Sequence, residues 1–248
     1  MATITERDLA ATIDHAILKP ELTRADVDAE LDIAAEWRVF SVCVRPSDIA
    51  HAVARLDGTG VAVGTVIGFP HGTTSTAAKV AEVRQALGDG ATEFDMVVNI
   101  GALRSGFDDV VTADIAAVVA AASGHVTKVI LETSLLDDEQ IARGSRLTEA
   151  GGADFVKTST GFHPAGGASE PSLFGLAGSL VIGFLDLQAS RAPVQRHVEL
   201  VLAGVDPGNN RGSNRGGSRD SLAHLPRPFL AMRTLGSVNH PGPMKSRP

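Results

Sequence analysis

Residues 61–87 read VAVGTVIGFPHGTTSTAAKVAEVRQAL, and the two halves of this stretch follow different rules. Val61–Phe69 is a short apolar run rich in β-branched residues, the composition of a buried strand. Phe69-Pro70-His71-Gly72 then supplies a sharp turn. Ser75 offers a side-chain oxygen to the first amides of a helix over Ser75–Leu87. The unit is one strand followed by one helix. It recurs on both sides. Strand-like runs lie at Val39–Val44, Glu93–Ile100, Val126–Leu135 and Ala153–Ser159. Helical stretches lie at Arg24–Arg38, Pro46–Leu56, Asp108–Ala122 and Asp137–Ala150. Thr23 and Asp137 are cap residues for two of these, and Gly88, Gly124 and Gly151 stand where helices end and a left-handed residue is wanted. Strands that alternate with helices of 10–15 residues form a parallel sheet of βαβ units. Five units are countable, and a further strand is marked only faintly at Gly178–Leu187.

Bulk composition sets outer limits. The 248 residues are 44% hydrophobic and 21% charged, enough for a sizeable core. A barrel of eight strand–helix units takes about 250 residues, so the length permits one. The net charge of −7 excludes a general nucleic-acid binder, which carries a basic face. A single cysteine, Cys43, leaves no internal disulfide and fits a reducing compartment. The opening MATITERDLAATIDHAIL lacks the pattern of a signal peptide, and no apolar run suggests a membrane span. These features point to a cytoplasmic protein without nucleic-acid or membrane partners.

The strand-like runs carry the candidate chemistry. In ADFVKTSTG, residues 153–161, Lys157 sits within a strand. Burial disfavours its cation, which predicts an amine shifted toward the neutral, nucleophilic form. In EFDMVVNI, residues 93–100, strand alternation places Glu93, Asp95, Val97 and Asn99 on one face. There, Asp95 is a candidate for proton transfer. Alternation also places Lys128, Ile130 and Glu132 together, where Lys128 either pairs with Glu132 or, as a second cation, helps keep Lys157 neutral. Asp14 and His15 form a polar pair ahead of the first clear strand, and spacing alone reads them as structural. Cys43 reads as a small buried hydrophobe. Gly161–Gly167, GFHPAGG, has three glycines whose amides can approach a phosphate, and the histidines show no metal-ligand spacing.

As a set, IDHAILKPELT, SVCVRPSDI, VGTVIGFPHGTTSTAAKVAEV, GATEFDMVVNIGAL, KVILETSLLDDEQI and GADFVKTSTGF resemble the deoxyribose-phosphate aldolases, over roughly residues 7–168. The resemblance implies a (β/α)8 TIM barrel and a class I aldolase with no cofactor. The implied substrate is a small phosphosugar, 2-deoxy-D-ribose 5-phosphate, which such an enzyme cleaves to acetaldehyde and glyceraldehyde 3-phosphate. It assigns Lys157 as the imine-forming lysine and Asp95 as the proton relay. It places Asp14 and Lys128 in the lining of the active site, and Thr160 and Gly161 at the start of the phosphate-side loop. A homodimer is compatible with it.

The quoted likeness ends near Ala168, and the chain changes character there. Up to residue 167 there are 13 Lys and Arg against 24 Asp and Glu, leaving 9 against 5 for the remainder. Eight of the twelve prolines follow residue 168. The family's second active-site lysine and its last phosphate loop have no counterpart in the sequence, because the one lysine after Lys157 is Lys245. The expectation is a barrel domain over 1–168 whose strands run out after the fifth, then a Gly/Pro/Arg-rich tail over 169–248 from a shifted frame or an unrelated sequence. Such a chain is either an aldolase, an inactive homologue, or a Schiff-base lyase for a different phosphosugar.

Overall fold

The computed structural model describes residues 5–164. The tail over 169–248, the faint strand at Gly178–Leu187 and residues 165–167 of the glycine turn lie outside the described residues.

Six parallel strands build one sheet in chain order: β1 (Asp14–Ile17), β2 (Ser41–Val44), β3 (Ala62–Ile67), β4 (Glu93–Val97), β5 (Val126–Ile130) and β6 (Phe155–Lys157). Between them run α1 (Glu6–Ala10), α2 (Arg24–Trp37), α3 (Ile49–Leu56), α4 (Thr76–Gly88), α5 (Ile100–Arg104), α6 (Asp108–Ala121) and α7 (Asp138–Ala150), with α1 ahead of β1. The alternating units are therefore those read from the sequence, with one strand more. Asp14–Ile17 is the true first strand, so the strand of Lys157 is the sixth rather than the fifth. Its two leading residues are polar, which hid it from a search for apolar runs. Thr23, Ser75 and Asp137 each accept a bond from a first-turn amide, at Asp26, Ala78 and Gln140 respectively. Two of the three helix-end glycines behave differently from expectation. Gly88 closes α4 and the left-handed turn comes at Gly90; Gly151 keeps a right-handed backbone and Gly152 takes the positive φ. At Gly151 the requirement is space, since a Cβ there would lie 2.5 Å from Ile115 Cγ2.

The sheet is curled, and one contact demonstrates it. Lys128 on β5 donates a hydrogen bond to Asp14 on β1. Four strand spacings of a flat sheet would separate those strands by about 19 Å. Curling sends alternate residues to opposite sides. On β4, Phe94 and Met96 join the main core against the helices while Glu93 and Asp95 face inward to Lys128. On β2, Val42 and Val44 go outward and Ser41 and Cys43 inward. The outer interface is the hydrophobic core proper, where Leu31 of α2, Val83 of α4, Ile115 of α6 and Ile141 of α7 are all buried. The fold class is thus α/β, with six strands of a barrel. Among the described residues no helix is long and apolar enough to cross a membrane.

The turn after β3 is fixed from two sides. Lys79 of α4 is 0% exposed; its Nζ donates to Val97 O at 2.9 Å and to Asp114 Oδ2 of α6 at 2.6 Å. That ion pair ties two helices to the end of the strand carrying Asp95. Gly72 has φ +69°, and a Cβ there would sit 2.0 Å from Val98 O. Gly72→Ala therefore meets both a strained backbone and a backbone clash. It is expected to destabilise the protein by about 2–3 kcal/mol, read as a lower urea midpoint at unchanged slope.

Candidate active site

Site residues reach the barrel interior because they occupy inward positions of consecutive strands. Lys157 is the last residue of β6 rather than a mid-strand residue, and is 8% exposed. Its Nζ donates to Asp95 Oδ2 at 2.9 Å. Asp95 bridges onward, its Oδ1 lying 3.5 Å from Lys128 Nζ. Lys128 donates to Asp14 Oδ2 and, at 2.6 Å, to Glu93 Oε2. Ser41 completes the group, donating to Asp14 Oδ1 at 2.5 Å. Three carboxylates thus enclose two ammonium groups in a buried chain from β1 through β4 and β5 to β6.

Four sequence-derived candidates, Lys157, Asp95, Asp14 and Lys128, are therefore one connected cluster. Glu93 and Ser41 belong to it as well. Glu93 was readable from alternation, whereas Ser41 becomes visible only once β1 lies beside β2, with Asp14 paired in register to Ser41. His15 points the other way, its Nε2 being 2.8 Å from Glu30 of α2, and so serves packing.

Two readings are corrected. Lys128 does not pair with Glu132, because the backbone turns left-handed at Glu132 (φ 56°) just beyond β5 and removes it from the strand face. Glu132 Oε2 instead accepts from Thr160 N at 3.1 Å and Thr160 Oγ1 at 2.5 Å. Asn99 likewise leaves the strand face and caps α5 through Ala102 N. The second correction concerns charge. Burial is the strongest single influence and pulls the Lys157 amine toward neutrality, but the Asp95 carboxylate and the other acidic groups around it together hold the ammonium above the ordinary lysine range. Lys128 pulls in the same direction as burial, as a second cation should, but not enough to reverse the sign; its own ammonium is held well above the usual range against burial by Asp95, Asp14 and Glu93. Asp95 would be raised by burial, yet Lys128 and Lys157 keep it below the usual carboxylate range. For Glu93 burial wins over Lys128 and the carboxyl is raised.

Above Lys157 the chain runs Thr158-Ser159-Thr160-Gly161, with Gly161 at φ +75° making the turn. This segment is stitched to the one after β5 by Leu131 N to Lys157 O and Thr133 N to Thr158 O, both 2.9 Å. The Thr160 hydroxyl donates to Glu132 and accepts from Phe162 N at 3.1 Å. Phe162 stacks edge-on against Phe69, ring centroids 5.1 Å apart, so the loops after β6 and β3 meet at the rim. Beside the cluster lies a small apolar group of Leu18, Cys43 and Val66, with Cys43 Sγ 3.9 Å from Asp95 Oδ2. Burial, reinforced by Asp95, holds that thiol well above its ordinary pKa, in keeping with a small buried hydrophobe.

A lysine at a strand's C-terminal end, an acid at hydrogen-bond distance and a curled parallel sheet form the setting of a barrel enzyme's active face. The model of the DeoC/LacD family aldolases matches residues 9–191. The chain belongs to the DeoC/LacD aldolase family. Among relatives of this DeoC/LacD aldolase, a deoxyribose-phosphate aldolase from Staphylococcus haemolyticus is 50% identical over 181 residues, covering 73% of this chain and 81% of the relative. Deoxyribose-phosphate aldolase 2 from Staphylococcus aureus strain MRSA252 is 53% identical over 161 residues, covering 65% and 73%. Among solved structures, the tetrameric deoxyribose phosphate aldolase of Aeropyrum pernix superposes with a TM-score of 0.64 at 32% identity, over 70% of this chain and 73% of that one. The family match continues past Ala168, where the segments quoted from the sequence end.

Proposed function

We propose that this DeoC/LacD aldolase cleaves 2-deoxy-D-ribose 5-phosphate to acetaldehyde and D-glyceraldehyde 3-phosphate through an imine on Lys157, as part of deoxyribonucleotide breakdown in the cytoplasm. The observation that carries this reading is the 2.9 Å contact between Lys157 Nζ and Asp95 Oδ2 at the open end of the barrel strands. The resting ammonium first sheds a proton. The free amine then adds to the aldehyde carbon of the open-chain sugar, and loss of water gives the protonated imine. A base removes the proton of the third-carbon hydroxyl, the bond between the second and third carbons breaks, and its electron pair flows into the imine. Glyceraldehyde 3-phosphate departs. The enamine left on Lys157 takes a proton at the second carbon by way of Asp95, and water hydrolyses the resulting imine to acetaldehyde. Covalent attachment replaces one unstabilised carbanion with several lower barriers.

In this reading Asp14 and Lys128 line the site without bonding changes. Thr160 contributes through its place in the turn, since its hydroxyl proton is given to Glu132. Gly161 gives the turn its left-handed step toward the phosphate side. The barrel body is assigned to residues 1–168 and the tail to 169–248, and a homodimer is the assembly assigned to the chain. The shifted-frame origin of the tail is tested by reading the gene beyond codon 168 in all three frames.

The test is to reduce the full chain with borohydride in the presence of acetaldehyde and map the adduct by mass spectrometry. The reading expects one stable adduct, on Lys157. Soluble, folded protein with no adduct there identifies the inactive homologue instead. An adduct without cleavage of 2-deoxyribose 5-phosphate identifies a lyase for a different phosphosugar.

A further inference from the structure

Burying a polar group with no partner is costly, and folded proteins pair nearly all of them. Among the described residues four buried side-chain atoms have no hydrogen-bond partner: Asp108 Oδ1, Arg143 Nε, Thr133 Oγ1 and Ser159 Oγ. The first two face each other at 3.5 Å as an ion pair, which accounts for them. The other two are hydroxyls at one place, the ends of β5 and β6, where Thr133 N bonds Thr158 O. Ser159 is 1% exposed and stands two residues beyond Lys157.

The three hydroxyls that follow Lys157 differ in what they do. Thr158 is already engaged. The Thr160 hydroxyl is spent twice over, donating to Glu132 and accepting from Phe162 N. Ser159 alone retains both its proton and its lone pairs, on a segment that Glu132 and two backbone bonds hold in place. Two extended residues span about 7 Å, so Ser159 lies close to Lys157 in the chain, on the segment that leaves the C-terminal end of β6, the side on which a barrel enzyme holds its ligand.

We propose that Ser159 is a substrate-binding residue, whose hydroxyl hydrogen-bonds a hydroxyl of the sugar between the imine carbon and the phosphate, and that the Glu132–Thr160 contact positions it. This rests on the aldolase reading above and adds a specificity element to it. A buried hydroxyl that no neighbouring protein group satisfies is what a pocket shaped for a polyol would leave. A pocket for a simple aldehyde has no use for it.

Ser159→Ala tests this, because acetaldehyde lacks the hydroxyl in question. Two quantities are measured on full-length parent and variant: kcat/KM for 2-deoxyribose 5-phosphate, and the rate of borohydride trapping of acetaldehyde. The expected result is a fall of about tenfold in the first relative to the second, the worth of one good hydrogen bond. The melting temperature should be equal or higher, since the substitution deletes an unpaired buried hydroxyl. A purely structural serine would instead lower the melting temperature, or lower both rates together, and either outcome overturns the proposal. So does a variant whose two rates keep the parental ratio. A parent that traps acetaldehyde nowhere and leaves the sugar uncleaved overturns the aldolase reading and this proposal with it. A parent active in both assays whose variant keeps that ratio overturns this proposal alone.

Discussion

Asp95→Asn is expected to pull two measurements of the same lysine in opposite directions. The Asp95 carboxylate is the main influence holding the Lys157 ammonium above its ordinary range, against burial. An amide keeps the shape but not the charge, so burial and the nearby Lys128 would then both push the lysine pKa down. The sign is fixed: the neutral amine attacks, so a lower pKa puts more reactive amine in solution at neutral pH. In the parent, the acetaldehyde-trapping rate should climb with pH without levelling off below the unperturbed lysine value of about 10.4. In the variant the climb should move to lower pH, and trapping at pH 7 should become faster. Turnover of 2-deoxyribose 5-phosphate should meanwhile fall by about 10²–10⁴, the usual cost of removing a group that transfers protons. A trapping profile that stays where it was would show that Asp95 does not govern the charge of Lys157.

Removing Lys128 has the largest expected effect on stability. Lys128→Met deletes the partner shared by Asp14, Glu93 and Asp95, and leaves three carboxylates buried around an apolar side chain. Breaking a buried ion pair from one side costs about 3–5 kcal/mol. For a domain of this size that is a drop of roughly 10 °C in melting temperature. The loss should depend on pH in a defined direction. Glu93 already has a raised folded-state pKa, owing to burial. Such a group stabilises the fold fully below its unfolded pKa of about 4.3, and the contribution disappears as pH rises through the folded value. The variant should therefore be closest to the parent in mildly acidic buffer and furthest from it above neutrality. Denaturant titrations at several pH values measure this directly, and a deficit independent of pH would contradict it.

Much of this architecture is legible in the sequence because buried parallel strands and amphipathic helices have different periods. The turn at Phe69-Pro70-His71-Gly72 and the caps at Thr23, Ser75 and Asp137 are legible for the same local reason. The elements that escaped are those in which polar function overrides the apolar code. Asp14 and His15 begin a strand yet look like a loop. Ile100–Arg104 is a helix of five residues, too short to establish a period. Within the site, alternation located Glu93, Asp95 and Lys128 correctly and failed where strands end. At Asn99 and Glu132 the backbone has already left the pleat, so counting by twos assigns a face that no longer exists. The charge of Lys157 is hidden from the sequence for a different reason. Burial is a property of one residue and can be guessed, but the acidic groups that together reverse its effect, Asp95 first among them at 62 positions away, are brought in by the fold.

The bond from Lys128 to Asp14 also bears on how the protein assembles. Its partners are separated by 114 positions, whereas each neighbouring pair of strands is joined by a single short crossover. Strand pairing can therefore spread stepwise along the nascent chain, each step closing only a modest loop. The ionic centre cannot follow that order. Until β5 emerges, Asp14 has no cation to receive it, and Ser41 and its neighbours surround an uncompensated acid. Loop-closure entropy makes contacts of long sequence separation late and slow. The ionic interior is thus expected to form after the strand pairing around it, because its cation arrives with β5, the fifth of the six strands.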